Sequence, residues 1–300
     1  LIHDTRFRDI LRGSIWAIVA RVIAAVLGLL FSVYIARLFG SEAVGIVALV
    51  NSFIMFSTIF TVIGTPTSLL RLIPENCSKY SYSSAYHVYH KSQFMVIGIS
   101  IVTGFLFFCL SDIIATKIFS KPNFAYIFSI ASVFIVFRSI ERLNSQALRG
   151  LKLIRSFAAM QICPKLFSLV FVIILSYLWK AKVVPVYAFL AGFSLTGLMS
   201  WGIMELTFKK HRKADDVIKR YTFKEILNIS FPMLMTATMM FFISQTSIIM
   251  LGMYSTESEV GYYSVAIRLA TLTAFVLEAV NTMVGPKFSE LFHSNKIDEM

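Results

Sequence analysis

Arg21, Lys165, Arg268 and Glu278 each fall inside a long run of apolar residues. Charge at membrane depth is costly. Where it occurs it faces a protein interior or a water-filled cavity and marks a site by default. The three cations and the carboxylate do different chemistry. A guanidinium presents rigid, paired donors that grip two oxyanion oxygens at once and stay charged at any working pH. Arg21 and Arg268 are therefore candidates for holding a polyanion, and Lys165 adds a point charge. Glu278 is the candidate for proton or cation coupling.

These charges have polar company at helical spacing. Ser14, Arg21, Gly28 and Ser32 follow one another by sevens and a four on one face. Ser264, Arg268, Thr271, Glu278 and Thr282 fall within about 80° of one another at 100° per residue. Asn51, Thr58, Thr61, Thr65 and Ser68 make an uncharged stripe of the same kind. The economical place for all three stripes is one shared central cavity, with Asn51, Thr58, Thr61 and Thr271 among its polar lining. Arg138, Glu141 and Arg142 read as an interface cluster at the cytoplasmic end of the fourth span, and Arg37 as an outer anchor.

The elements that carry these residues follow from composition. Hydrophobic residues make up 57% of the chain and charged residues 15%, well under the roughly 25% charged of a soluble domain. Continuous apolar stretches long enough to span a bilayer recur at roughly 13–39, 44–72, 93–111, 123–143, 155–179, 184–208, 226–252 and 259–285. Backbone polar groups in lipid must be satisfied internally, and continuous rather than alternating runs select helices over a barrel. The expectation is an all-α polytopic membrane protein with eight transmembrane helices in the chain.

The net charge of +12 raises nucleic acid as a partner, but its distribution points to topology. Most Lys and Arg fall in the segments of one side. Only Lys117, Lys121, Lys180 and Lys182 fall on the other. That asymmetry places the N-terminus in the cytoplasm and leaves no nucleic-acid role. Lys209-Lys210-His211-Arg212-Lys213 reads as a topogenic loop.

A charged pentapeptide occurs twice, each time before an apolar span: Phe7-Arg8-Asp9-Ile10-Leu11 and, 216 positions on, Phe223-Lys224-Glu225-Ile226-Leu227. The register continues, with Ser14 on Ser230 and Val44-Gly45 on Val260-Gly261. Six spans separate the copies, so both enter the membrane in the same direction, as in transporters built from parallel repeats. The expected organisation is a first six-helix lobe over 1–208, a basic inter-lobe loop over 209–225, and the first two helices of a second lobe over 226–300. The repeat predicts four further helices beyond Met300. Gly64-Thr65-Pro66, Cys163-Pro164 and Phe231-Pro232 should bend their helices.

Enzyme chemistry finds little support. There is no Walker motif, nucleophile elbow or redox motif. Asp215-Asp216 sits in a basic loop and balances its charge. His87-x-x-His90 has ligand spacing but no acidic or thiol partner near it in sequence, and Cys77, Cys109 and Cys163 form no ligand pattern. No cofactor or metal is expected.

The stretch Ser32-Val33-Tyr34-Ile35-Ala36-Arg37-Leu38-Phe39-Gly40-Ser41-Glu42-Ala43-Val44-Gly45, followed by the polar second span and Gly64-Thr65-Pro66-Thr67-Ser68-Leu69-Leu70-Arg71, resembles the N-terminal region of polysaccharide flippases. These are the O-antigen and teichoic-acid exporter group of the multidrug/oligosaccharidyl-lipid/polysaccharide exporter superfamily. Glu257-Ser258-Glu259-Val260-Gly261-Tyr262-Tyr263 is a weaker echo. The resemblance implies two six-helix lobes around a cavity that opens alternately to each side of the bacterial cytoplasmic membrane. It implies an undecaprenyl-diphosphate-linked oligosaccharide as substrate, with Arg21 and Arg268 on the diphosphate. It also implies H+ or Na+ as coupling ion and a polysaccharide polymerase or ligase as partner. Two alternatives stand beside it: a cation-coupled multidrug exporter of the same superfamily, and a membrane-embedded glycosyltransferase or polymerase.

Overall fold

A computed structural model of the chain describes residues 5–211 and 219–273, and every regular element among them is helical. The first helix, α1 (Thr5–Val62), is not straight, because Gly40 takes φ 84° and ψ 170°. Ala24 and Met55 line the same cavity, yet a straight helix would hold them about 46 Å apart at 1.5 Å per residue. The chain therefore doubles back at Gly40, and the two arms of α1 carry the expected first and second spans.

After α1 the sequence expectation needs correction. Ile63 and Gly64 both take positive φ (42° and 73°), so the second span breaks there. Helix α2 (Thr65–Lys79) restarts with a proline in its first turn and runs past the expected end at 72. Most of the stretch 74–92, between the expected second and third spans, is also helical. Helix α3 (Tyr82–Ile113) begins at Ser81, whose hydroxyl accepts from the Ser84 N–H at 3.1 Å, and Ala85, Val88 and Tyr89 are fully buried. Packing, not propensity, decides that segment.

Then follow a π-helical turn (Ile114–Ile118), α4 (Phe124–Gly150), α5 (Ile154–Leu178), α6 (Val184–His211) and α7 (Phe223–Tyr254). The last described element, α8, covers 257–273. A capping box opens α7: the Thr222 hydroxyl accepts from the Glu225 N–H, and the Glu225 carboxylate accepts from the Thr222 N–H at 2.6 Å. Among the described residues six stretches are long and apolar enough to cross a membrane. The two arms of α1 count as one in that number, and α8 is described over only part of its expected length. The protein is multi-pass.

The bundle exposes large apolar side chains and buries many small polar ones among its apolar core. Phe105, Val102 and Leu206 are at least 70% exposed, facing where lipid would be. Ser57, Ser132, Ser139 and Ser200 are fully buried, and the first three donate back to the carbonyls of Phe53, Phe128 and Ile135. Lipid removes the hydrophobic drive between helices, so small residues that let backbones approach become the packing surface. Apolar side chains collect in two clusters, one around Phe53, Phe128 and Phe193 and one around Tyr89, Leu143 and Phe208.

Helices α7 and α8 lie against the first six. Ser52 donates to the Gln245 carboxamide oxygen at 2.6 Å, Ser68 and Ser230 share a hydrogen bond at 2.7 Å, and Lys121 meets Glu257 at 3.2 Å. The tightest approach is between glycines 216 positions apart. A Cβ on Gly45 would stand 1.8 Å from the Glu257 carbonyl oxygen, and one on Gly261 would stand 2.3 Å from the Ser41 carbonyl oxygen. Ser41 and Glu257 are themselves 216 apart, so the two contacts are reciprocal, as across a two-fold axis.

Candidate functional site

A cavity of about 330 Å³ opens where the two apolar clusters meet, between the arms of α1 and helices α4, α5 and α6. Its polar lining comes from Asn51 on α1, Arg138, Glu141 and Ser145 on α4, and Gln161 and Lys165 on α5. Pro164 lies within α5, and Lys165 follows it directly. The ammonium of Lys165 sits 5.9 and 5.8 Å from the ring centroids of Phe189 and Phe193, inside cation–π range.

Arg138 pairs with Glu141 at 2.5 Å and lies 4.4 Å over the Phe193 ring. Among the described residues Lys165 has no carboxylate within 4 Å. Arg268, on α8, donates from Nη1 to the Gly28 carbonyl at 2.9 Å and to the Ser32 hydroxyl. Gly28 also adjoins Lys165, since a Cβ on it would stand 3.9 Å from Lys165 Cδ. Lys165 is thus within electrostatic reach of Arg268, Arg138 and Glu141, three cations against one carboxylate. Donors are also in surplus. Among the described residues the Gln161 Nε2 is buried with no partner, and the Asn51 Nδ2 reaches the Met55 sulfur at 3.6 Å. Such a lining suits a ligand that is anionic and rich in acceptors.

The structure brings together some residues that sequence spacing singled out and separates others. Asn51 and Lys165 line the cavity, and Arg268 adjoins it across Gly28. Arg21 is half-buried on α1 and is not part of that lining. Thr58 and Thr61 are fully buried. Thr58 donates to the Ile54 carbonyl at 2.6 Å and Thr61 pairs with Ser139 of α4 at 2.6 Å, so this stripe packs against α4 instead of opening into a cavity. Thr271 is exposed and bonds back to the Arg268 carbonyl. Glu278 and Thr282 lie outside the described residues.

Arg138 and Glu141, read with Arg142 as an interface cluster, line the cavity. The fourth helix does not end near 143 but continues to Gly150, which sets both residues more than two turns from its end. The signal that could have found them is the Arg-x-x-Glu spacing, which closes an ion pair on one helix face.

Residues 10–292 of the chain match the family described as polysaccharide biosynthesis protein. No curated protein matches it in sequence. Solved structures that share its fold include the following two. One, described as protein A, superposes with a TM-score of 0.66 at 13% identity over 96% of this chain and 66% of its own. The other is the MATE multidrug transporter DinF-BH in complex with R6G, with a TM-score of 0.60 at 11% identity over 94% of this chain and 65% of its own. This chain therefore spans just under two thirds of the length of either. A match over nearly its whole length, on a multi-pass helical bundle with the fold of a MATE transporter, places this chain in the polysaccharide biosynthesis protein family.

Proposed function

We propose that the chain belongs to a transporter that moves an undecaprenyl-diphosphate-linked oligosaccharide across the bacterial cytoplasmic membrane by alternating access, with its N-terminus in the cytoplasm. The observation that carries this reading is the cation excess at the cavity, where Lys165, Arg138 and Arg268 are set against Glu141. A buried cation without a counter-charge is unfavourable, and a diphosphate supplies that charge with several acceptor oxygens. Asn51 and Gln161 would serve the sugar or the phosphate as neutral donors, and Arg21 would meet the same head group from the first arm of α1. The lipid tail stays in the bilayer. Glu278 is the proposed coupling residue for H+ or Na+, and a polymerase or ligase would receive the delivered unit.

The fold shared with a multidrug transporter favours drug export as the second reading. An organic cation would need acidic groups in the cavity, and here the basic ones predominate.

The test is lipid extraction from cells lacking the full-length gene and complemented with variants. Loss should make the lipid-linked oligosaccharide accumulate while surface polysaccharide falls. Lys165→Met and Arg268→Gln each remove a charge-assisted hydrogen bond worth about 1.5–3 kcal/mol, so export should fall about 10- to 100-fold at normal protein level. Unchanged glycan and unchanged lipid intermediates in the deletion strain, with no second exporter present, would reject the reading.

A further inference from the structure

Arg268 fastens α8 to α1 with acceptors that are poor partners for a cation. Its guanidinium meets the Gly28 carbonyl and the Ser32 hydroxyl, and no carboxylate lies within 4 Å of it among the described residues. The Gly28 carbonyl is already in use. The Ser32 hydroxyl donates to the same Gly28 carbonyl at 3.0 Å, and that carbonyl belongs to the backbone ladder of α1. A phosphate would offer paired anionic oxygens instead, the geometry a guanidinium binds most strongly. Such an anion, drawn into the cavity by Lys165, would arrive near Arg268, because both side chains adjoin Gly28. Arg268 stands seven residues beyond Gly261, about 10 Å along α8, so it is a second fastening below the glycine crossing.

We infer that Arg268 is a ligand-released latch: a phosphate-bearing ligand bound beside Lys165 takes the guanidinium from Gly28 and Ser32 and frees α8 from α1. The inference rests on the anionic substrate proposed above and adds how its arrival is sensed. One guanidinium cannot fully satisfy both partners, so ligand binding and the α1–α8 contact oppose each other. A ligand shifts such an equilibrium only by its differential affinity for the two states, and here Arg268 supplies that difference.

The full-length protein in vesicles tests this, with Cys77, Cys109 and Cys163 replaced by alanine and a cysteine pair at Ser41 and Tyr262, whose side-chain oxygens lie 3.4 Å apart. A short bis-thiol reagent reports whether α8 is held. The probes are undecaprenyl diphosphate in the bilayer and inorganic diphosphate in solution, and calorimetry without the cysteine pair gives their affinity. Either probe should lower cross-linking about threefold or more, and the one that acts identifies the source of the phosphate. Ser32→Ala weakens the latch and leaves Arg268 in place. It should lower cross-linking without ligand and tighten probe binding about 3- to 10-fold, because less of the closed state must be undone. Arg268→Gln should make cross-linking insensitive to either probe. Binding with unchanged cross-linking, or weaker or equal affinity in Ser32→Ala, overturns the latch alone. Failure of both probes to bind the wild-type protein overturns the proposed substrate and the latch together.

Discussion

Gly45→Ala is expected to destabilise the protein by about 3 kcal/mol, at or above the usual ceiling for overpacking, and Gly261→Ala by a similar amount. In each case the new Cβ meets a backbone carbonyl oxygen, at 1.8 Å from Glu257 and 2.3 Å from Ser41 respectively. A side chain can rotate out of the way, but a backbone carbonyl within a helix cannot. The α1 arm and α8 must therefore move apart as bodies. Gly98→Ala and Gly202→Ala are the controls, since a Cβ there meets nothing within 4 Å, and their effect should stay within about 0.5 kcal/mol. Thermal melting of the full-length protein in detergent makes the comparison. The reciprocity of the contact adds a sharper outcome. Once one alanine has pushed the helices apart, the second fits into space already made, so the double variant should cost clearly less than the sum of the singles. Strict additivity would mean that the two glycines do not share one crossing.

The 216-residue register that relates Gly45 to Gly261 was legible in the sequence, because an apolar chain has few charged landmarks and a repeated one stands out. Helical class and multi-pass character were legible for the same reason: long continuous apolar runs admit little else in lipid. The polar stripes were harder to read. Thr58 and Thr61 share a face with Asn51, and all three look alike on a helical wheel. A threonine can satisfy its hydroxyl on its own helix backbone, as Thr58 does on Ile54, so its periodicity does not separate a packing face from a cavity. A charged side chain has no such local remedy; Lys165 lines the cavity and Arg268 reaches the Gly28 carbonyl of α1. The cavity lining by Arg138 and Glu141 was hard to read because the apolar run weakens near 143 while the helix that carries them goes on to Gly150. The end of an apolar stretch marks a change of surroundings, not the end of a helix. The break at Ile63 was visible only as Gly64-Thr65-Pro66, and the continuation of α2 to Lys79 was hidden by Pro74, which the helix accommodates.

Glu141→Ala should be the most destabilising single change at the cavity. Glu141 is buried and pairs with Arg138 at 2.5 Å, and it lies within electrostatic reach of Lys165. Removing one partner of a buried pair costs about 3–5 kcal/mol, because it strands the remaining charge. Here it strands Arg138 and Lys165, which already repel each other, and takes away a carboxylate that Arg142 also feels. The double variants separate stability from binding. Lys165→Met added to Glu141→Ala removes one of the stranded charges and replaces the lysine stem with an apolar chain of similar reach. It should recover a substantial part of the lost melting temperature. Arg138→Leu added to Glu141→Ala should recover more, since it deletes the whole pair, and replacing a buried ion pair by apolar groups is often neutral or stabilising. Export should not follow stability. If the cations bind the diphosphate, both double variants remain defective in export while folding well. Export that returns together with the melting temperature would assign Arg138, Glu141 and Lys165 to the architecture of the bundle, and the diphosphate would then have to be held by Arg21 and Arg268.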